Sequence, residues 1–318
     1  MTTLEGQWLG QGGGTNTGWT VLEVERRKGA LYGLALLFDD NRANPCILAE
    51  IGPFRGAQPT ILHAIIRPFD SSTGAVLSED ERQKRFPDTQ LSKTATIKFR
   101  FEGSSLIASW STAIGTSGTT TLTRQELPKE SSVPLETGEI LTWSKFEETA
   151  LSGDHNGWMF RGQAQNWPLS TSFHRTGRSD IHFFIDDTLR RLRPSVYPLV
   201  PDLLHLDFGS QNSSLLALAQ HHGFPTPLLD WSKSPYIAAF FGSNADKGIS
   251  PAEPTMSLFA LDIERLSQLL PSPPAFSCVE PYLTGIGPFS FGNPRLEPQQ
   301  GVLTASNLVN IESFIRAC

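Results

Sequence analysis

The pattern of apolar and polar residues changes near residue 124. Before this point, short stretches that alternate between apolar and polar residues are separated by Gly, Asp or Asn, which is typical of antiparallel strands joined by tight turns. Several short strands at this spacing predict a small antiparallel barrel or sandwich over residues 1–124. The predicted strands begin at Gly6 and continue over residues 19–24, 31–38, 61–66, 94–101, 106–110 and 119–122.

Residues 125–139 have a different composition, rich in Pro, Ser and charged residues, which predicts a linker. Helical and strand patterns alternate in residues 140–318, which are predicted to form a mixed α/β domain. The predicted fold class is therefore α+β, with the all-β part first. Helices are predicted over residues 142–146, 180–193 (ended by Pro194) and 263–270, strands over 158–163 and 256–262, and a long loop over 271–274 and 284–294.

Residues 215–241 predict a helix, a strand and a second helix in close succession, with tight turns between them. The first helix is expected to end at His222, because Gly223 supplies a left-handed stop. In the strand that follows, a period of two places Asp230 and Ser232 on one face. Ser234 is a good N-cap for the second helix. Polar groups from two turns and one strand are therefore expected to converge on one small volume.

The composition is that of a globular protein, since 39% of the 318 residues are apolar and 18% are charged. The 26 basic and 32 acidic residues give a net charge of −6, which provides no overall attraction to nucleic acid or to an anionic membrane. The three cysteines are widely spaced, so neither a disulfide framework nor a zinc site is indicated. With no signal-peptide pattern and no apolar span of about 20 residues, the sequence predicts a soluble cytoplasmic protein.

Several polar side chains are candidates for a binding or catalytic site. Arg161 can bind a phosphate or carboxylate through its planar donors, or it can pair with a structural carboxylate such as Asp154. His221 or His222 can position a substrate or carry a proton, or simply cap the end of the helix. Asp230 can contact a ligand, or accept hydrogen bonds from the amides of the following turn.

Three separated motifs resemble the FRG domain family. They are Phe160-Arg161-Gly162-Gln163, the run over residues 220–241, and Arg295 followed by Gln299-Gln300-Gly301. This resemblance covers about the C-terminal half of the chain and depends on all three motifs occurring in order. Separately, Gly6-Gln7-Trp8 is similar to the opening of lipocalin-like barrels, in which the indole plugs the barrel floor.

The order of the polar elements is also similar to the layout of the ADP-ribosyltransferase superfamily. This resemblance implies an ADP-ribosyltransferase-like second domain that takes NAD as its substrate and uses no metal. The residues implied to act in catalysis are Arg161, Ser232, Gln300 and Glu297. Those implied to bind NAD are Arg161, Gly162, Gln163, His222, Asp230, Arg295 and Gln299.

Three functions remain open from the sequence. The first is an NAD-consuming ADP-ribosyltransferase or NAD glycohydrolase, in which the barrel senses a signal or docks a protein target or regulator; this would suit a toxin or an antiviral defence effector. The second is a non-catalytic module that binds a nucleotide or a protein segment. The third, a metal-dependent hydrolase using His221, His222 and Asp230, is less favoured because the sequence shows no further close pair of ligands. The barrel itself can be a folding or docking module, or its mouth can bind a small ligand.

Overall fold

A computed structural model describes residues 3–55, 61–134, 140–153, 156–196, 212–244, 255–270, 280–286 and 300–317. The first part of the chain is a closed barrel of eight antiparallel strands that follow one another in sequence order. The first strand pairs with the last and closes the barrel. Of the two predicted architectures, the barrel is therefore confirmed and the sandwich is not. The strands are β1 (Gly6–Gly14), β2 (Gly18–Arg27), β3 (Ala30–Asp39), β4 (Cys46–Phe54), β5 (Leu62–Phe69), β6 (Thr94–Glu102), β7 (Ser105–Thr112) and β8 (Ser117–Arg124).

Trp8 fills one end of the barrel. Its side chain is completely buried among apolar residues that point inward, and its indole Nε1 donates a hydrogen bond to the Leu4 carbonyl at 2.9 Å. This is the position that the resemblance to lipocalin-like barrels implies for the indole. Because side chains alternate along each strand, a second apolar cluster forms on the outer surface of the barrel. That outer cluster consists of Val21, Leu34, Leu36, Phe38, Leu48 and Phe69.

Two elements of the barrel part were not predicted from the sequence. Strand β4 contains Gly52 followed by Pro53, a pair that indicates a turn when read locally. Helix α1 (Glu79–Arg85) lies between β5 and β6 and has no apolar stripe, so hydrophobic periodicity does not reveal it. Its start is nevertheless encoded, because Ser78 and Glu81 form a capping box.

The second part of the chain contains a five-stranded sheet with strand order β11-β9-β10-β13-β12. One face of β10 packs through Leu228 against α6, and the other packs through Leu229 and Trp231 against α8 and α9. The sheet is thus covered on both sides. Its strands are β9 (Trp158–Gln163), β10 (Leu228–Ser232), β11 (Ser257–Asp262), β12 (Leu283–Ile286) and β13 (Gly301–Ser306). The helices are α2 (Trp143–Ser152), α3 (Ser172–Arg175), α4 (Ile181–Phe183), α5 (Arg190–Val196), α6 (Asn212–His221), α7 (Pro235–Asn244), α8 (Ile263–Leu269) and α9 (Ile311–Ala317).

Two sequence predictions for the second part are wrong in detail. The single helix expected to end at Pro194 consists of α4, a π-helical turn (Phe184–Leu189) and α5, and Pro194 lies inside α5. The φ of proline is compatible with a helix, and its missing N–H removes only one hydrogen bond. The helix therefore continues past Pro194 for two more residues. Residues 284–294 were predicted to be a loop, but residues 284–286 belong to β12, which pairs with β13. Residues 287–294 lie outside the described part of the chain.

The two parts of the chain meet through buried polar groups, which we call the junction. Gln7 donates from Nε2 to the Asn307 carbonyl at 2.7 Å, and its Oε1 accepts the amide of Val309 at 2.9 Å. Glu25 accepts the amide of Asp180 at 2.9 Å. None of the helices in the described ranges is long and apolar enough to cross a bilayer.

Residues 125–134 of the predicted linker contact the second part. The buried carboxylate of Glu312 accepts hydrogen bonds from the hydroxyl of Ser131 at 2.9 Å and the amide of Ser132 at 2.7 Å. It also accepts the amide of Leu169 at 2.7 Å. This stretch is therefore held in place, while residues 135–139 lie outside the described ranges.

Candidate functional site

Three strands of the second sheet meet around Ser232. Ser232 pairs with Phe160 on β9 and with Gly301 on β13, and the amide of Lys233 donates to the Gln300 carbonyl at 3.1 Å. Arg161 follows Phe160 directly along β9. The fold thus places the backbones of Arg161, Ser232 and Gln300 near one another, on or directly beside the adjacent strands β9, β10 and β13.

The turn after Ser232 is built by two serines. The buried Ser232 hydroxyl accepts the amide of Ser234 at 3.1 Å, and the Ser234 hydroxyl accepts the amide of Ile237 at 3.4 Å. Pro235 is the first residue of α7, where its missing amide hydrogen has no cost. This is the strand-to-helix transition that the sequence predicts. The amide of the turn is accepted by Ser232, not by Asp230 as one interpretation of the sequence had it.

Strands β9 and β10 are paired only at Ser232 and Phe160, whereas β9 pairs with β11 along its whole length. Beyond that pair, the guanidinium of Arg161 reaches across to β10 and donates from Nη1 to the Asp230 carbonyl at 2.8 Å. Its Nε is buried and has no hydrogen-bond partner within the described residues. An arginine with an unused buried donor at the opening between two strands is well placed to receive an acceptor from a ligand.

The charge of Arg161 is not neutralised by an ion pair with any carboxylate in the described part of the chain. Burial lowers the pKa of Arg161, the negative charge of Asp230 opposes this, and the positive charge of Arg175 adds to it. Asp230 itself is held by α6, because its carboxylate accepts a hydrogen bond from Gln220 Nε2 at 2.6 Å. The alternative partner considered from the sequence, Asp154, lies outside the described residues.

Gly162 and Gln163 have structural roles in their own strand. A Cβ at Gly162 would lie 1.9 Å from the carbonyl oxygen of Ala238, so only glycine lets α7 approach β9 this closely. Gln163 is buried and donates from Nε2 to the Trp167 carbonyl at 2.7 Å. Both residues therefore support the strand that carries Arg161.

One known protein family matches part of this region. Residues 156–248 match the family model of the FRG domain. No curated protein and no solved structure gives a match to the chain. The matched residues include β9, α6, β10 and α7, so the FRG domain supplies Arg161 and Ser232, while Gln300 lies beyond the match.

The histidine pair lies at the end of α6 in the FRG domain. His221 and His222 are exposed, and their ring centroids are 5.2 Å apart. Gly223 follows with a φ of 80°, which is the left-handed stop that the sequence predicts. Within the described residues, no contact joins His222 to the other predicted site residues, and no group of three His, Cys, Asp or Glu side chains could hold a metal ion.

The third predicted motif is described only from Gln300 onward. Arg295, Glu297 and Gln299 lie outside the described residues. Gln300 is exposed and has a φ of 47°, a left-handed conformation that is uncommon for residues other than glycine. Such strain, of order 1 kcal/mol or more, is often found at functional sites.

Three residues near the site were not among the predicted site residues. Arg175 is the cation that influences Arg161, and Gln220 and Thr226 form a chain to Asp230, since the Thr226 hydroxyl donates to Gln220 and Gln220 donates to Asp230. The Thr226 carbonyl also accepts the amide of Phe173 at 3.0 Å, which ties α3, and so Arg175, to β10. The N-cap at Thr171 was the local signal for α3, but nothing in the sequence indicated where α3 docks.

Proposed function

We propose that the FRG domain and strand β13, which Gln300 directly precedes, form an NAD-consuming site, acting as an ADP-ribosyltransferase or an NAD glycohydrolase. The observation that carries this proposal is that the backbones of Arg161, Ser232 and Gln300 lie close together across the adjacent strands β9, β10 and β13, and that the Arg161 guanidinium has no ion-pair partner in the described residues. The barrel is the sensing or docking module. An NAD-consuming domain with such a module suits a toxin or an antiviral defence effector.

The electrostatics favour a dianionic or diphosphate ligand. Arg161 and Arg175 influence each other electrostatically, and Asp230 is the acid that acts on Arg161. Two cations and one anion leave a net positive charge at the opening of the sheet. A diphosphate would supply the missing negative charge and an acceptor for the buried Arg161 Nε. NAD carries such a diphosphate between its two ribose groups.

The reaction would break the bond between nicotinamide and the ribose C1′. Nicotinamide leaves with the bonding electron pair, C1′ becomes oxocarbenium-like, and water or a target nucleophile then forms the new bond to C1′. Arg161 would hold the diphosphate, Ser232 would support the nicotinamide ribose, and Gln300 would bind the hydroxyl beside the reacting carbon. Gln299 and Glu297 are further candidates for this last role.

The test measures the nicotinamide that the whole chain releases from NAD, and chromatography quantifies it. We expect Arg161→Ala to lower the rate by about 10²-fold or more, the usual effect of removing a donor that stabilises developing charge. Arg161→Lys should restore only part of the rate, because lysine keeps the charge but loses the fork. Arg191→Ala is the matched control, since Arg191 is exposed and pairs with Asp187 on its own helix. No release by the parent chain would contradict a catalytic role.

A second candidate, a non-catalytic nucleotide-binding module, is favoured by one observation. The one polar side chain of the third motif within the described residues, Gln300, is an amide and not a carboxylate. Thermal shift with NAD and with ADP-ribose separates the two functions. Stabilisation by both ligands that is lost in Arg161→Ala, without any nicotinamide release, would support the binding module, and no stabilisation by either ligand would contradict both proposals.

A further inference from the structure

The barrel encloses a cavity of about 370 Å³ that is separate from the candidate site in the second part. Its size falls within the range of about 300–1,000 Å³ in which proteins bind small molecules. Trp8 and its neighbours fill the other end of the barrel, so the space lies toward the ends of the strands at Gly12, Gly18 and Asp39. The cavity is thus a deep pocket with one filled end.

The walls of the pocket are apolar and its rim is polar. Alanines at positions 35, 49 and 108 face inward where larger side chains would occupy the interior, and this leaves the space open. The other apolar wall residues include Leu37, Ile47, Ile97, Phe99, Trp110 and Leu122. The polar rim includes Asn16, Thr17, Asn44, Thr89, Gln90 and Thr116. This arrangement suits a mainly apolar molecule with a small polar end at the rim.

The charges at the pocket have one sign. Its described lining residues include the acids Asp39 and Asp88, and none of them is Lys, Arg or His. Asp39 is held in place, because its carboxylate accepts the amide of Asn41 at 2.8 Å and the Asn44 side chain at 3.1 Å. An anionic group entering the pocket would meet like charge and no cation, whereas an uncharged or cationic group would not.

We propose that the barrel pocket binds an apolar small molecule that carries no negative charge. Apolar carboxylates and sulfonates of the same size are discriminated against by Asp39 and Asp88. This inference concerns the barrel alone and does not depend on the chemistry proposed for the FRG domain. Its test therefore needs no NAD and fails or succeeds by itself.

Two dyes with the same aromatic skeleton provide the test. N-phenyl-1-naphthylamine is uncharged, and 8-anilinonaphthalene-1-sulfonate adds a sulfonate to the same rings. We expect saturable fluorescence enhancement of the uncharged dye by the full-length chain, with a dissociation constant about tenfold or more below that of the sulfonate. Asp39→Asn should tighten sulfonate binding by about threefold and leave the uncharged dye unchanged.

Variants locate the dye in the pocket. Ala108→Phe places a ring in the cavity and should abolish binding of the uncharged dye, whereas Ser109→Phe, the neighbouring outward-facing position, should not. Ala49→Leu is a milder filling variant in case Ala108→Phe does not fold, as checked by circular dichroism, and should weaken binding at least about tenfold. The proposal is overturned if the uncharged dye does not bind, if a folded filling variant binds it like the parent, or if the sulfonate binds equally well.

Discussion

The buried carboxyl group of Glu23, at the junction, should make the stability of the protein fall as the pH rises. Its Oε1 accepts a hydrogen bond from Gln7 Nε2 at 2.7 Å, and its Oε2 is buried. Its pKa is raised well above the ordinary value of 4.5, first by burial and further by the charges of Asp180 and Glu25, while interactions with the Gln7 and Ser179 side chains oppose this. The folded chain therefore keeps a proton that the unfolded chain releases.

The size of the effect follows from proton linkage. At pH below 4.5, Glu23 is protonated in both states, so its contribution to stability is fully present. Above 4.5 the folded state binds up to one proton more than the unfolded state, and the free energy of unfolding decreases by up to about 1.4 kcal/mol per pH unit. This loss continues until the pH passes the raised pKa of the folded state. Arg27 and Arg178 pair with the neighbouring Glu25.

Glu23→Gln tests this reasoning, because the amide has the shape of the protonated acid and cannot ionise. Urea unfolding of the parent and the variant at pH 5, 6, 7 and 8 should give a difference that moves in favour of the variant by up to about 1.4 kcal/mol per pH unit. Glu102→Gln, at an exposed position of β6, is the control and should follow the parent at every pH. If parent and Glu23→Gln curves run parallel, Glu23 ionises in the folded state as it does in water, and the reasoning is refuted.

Two further variants test packing in the second part of the chain, one beside Arg161 and one at the contact with the linker. Gly162→Ala should lower the free energy of unfolding by about 2 kcal/mol or more, because its Cβ would lie 1.9 Å from the Ala238 oxygen, while Gly13→Ala, which has open space around it, should change it by less than about 1 kcal/mol; equal effects in urea titrations would contradict this account of the glycine. Glu312→Ala should cost about 3 kcal/mol or more in the same titrations, because it leaves the buried amide of Leu169 and the amide of the linker unpaired. A loss below about 1 kcal/mol would show that water replaces the carboxylate.

Local patterns in the sequence were sufficient for most individual elements. The succession of α6, β10 and α7 could be predicted because each boundary has its own signal, such as Gly223 at the end of α6 and Ser234 before α7. Closure of the barrel could not, because it depends on pairing between β1 and β8, at opposite ends of the first part. The π-helical turn inside the predicted helix likewise has no local signal in the sequence.

The sequence predicted which residues belong to the candidate site better than it predicted how they are arranged. The three motifs identified Arg161, Ser232 and Gln300, but only the sheet shows that Ser232 pairs with both neighbouring strands. Arg175 was missed because an exposed arginine in a short helix looks like an ordinary surface residue until α3 is placed against β10. The sequence also did not show that Gln220 holds the Asp230 carboxylate, or that Arg161 donates to the carbonyl of Asp230.

The junction determines how an event in the barrel could reach the FRG domain. Gln7 on β1 bonds to Asn307, and Glu25 on β2 accepts the amide of Asp180, which lies in the FRG domain. Bonds to buried backbone groups are directional, and a sliding motion would leave them unpaired at a cost of about 1–3 kcal/mol each, so the junction fixes one orientation. The opposite ends of the same two strands line the pocket, at Gly12 and Trp19. A ligand that shifts β1 and β2 would therefore strain the junction directly.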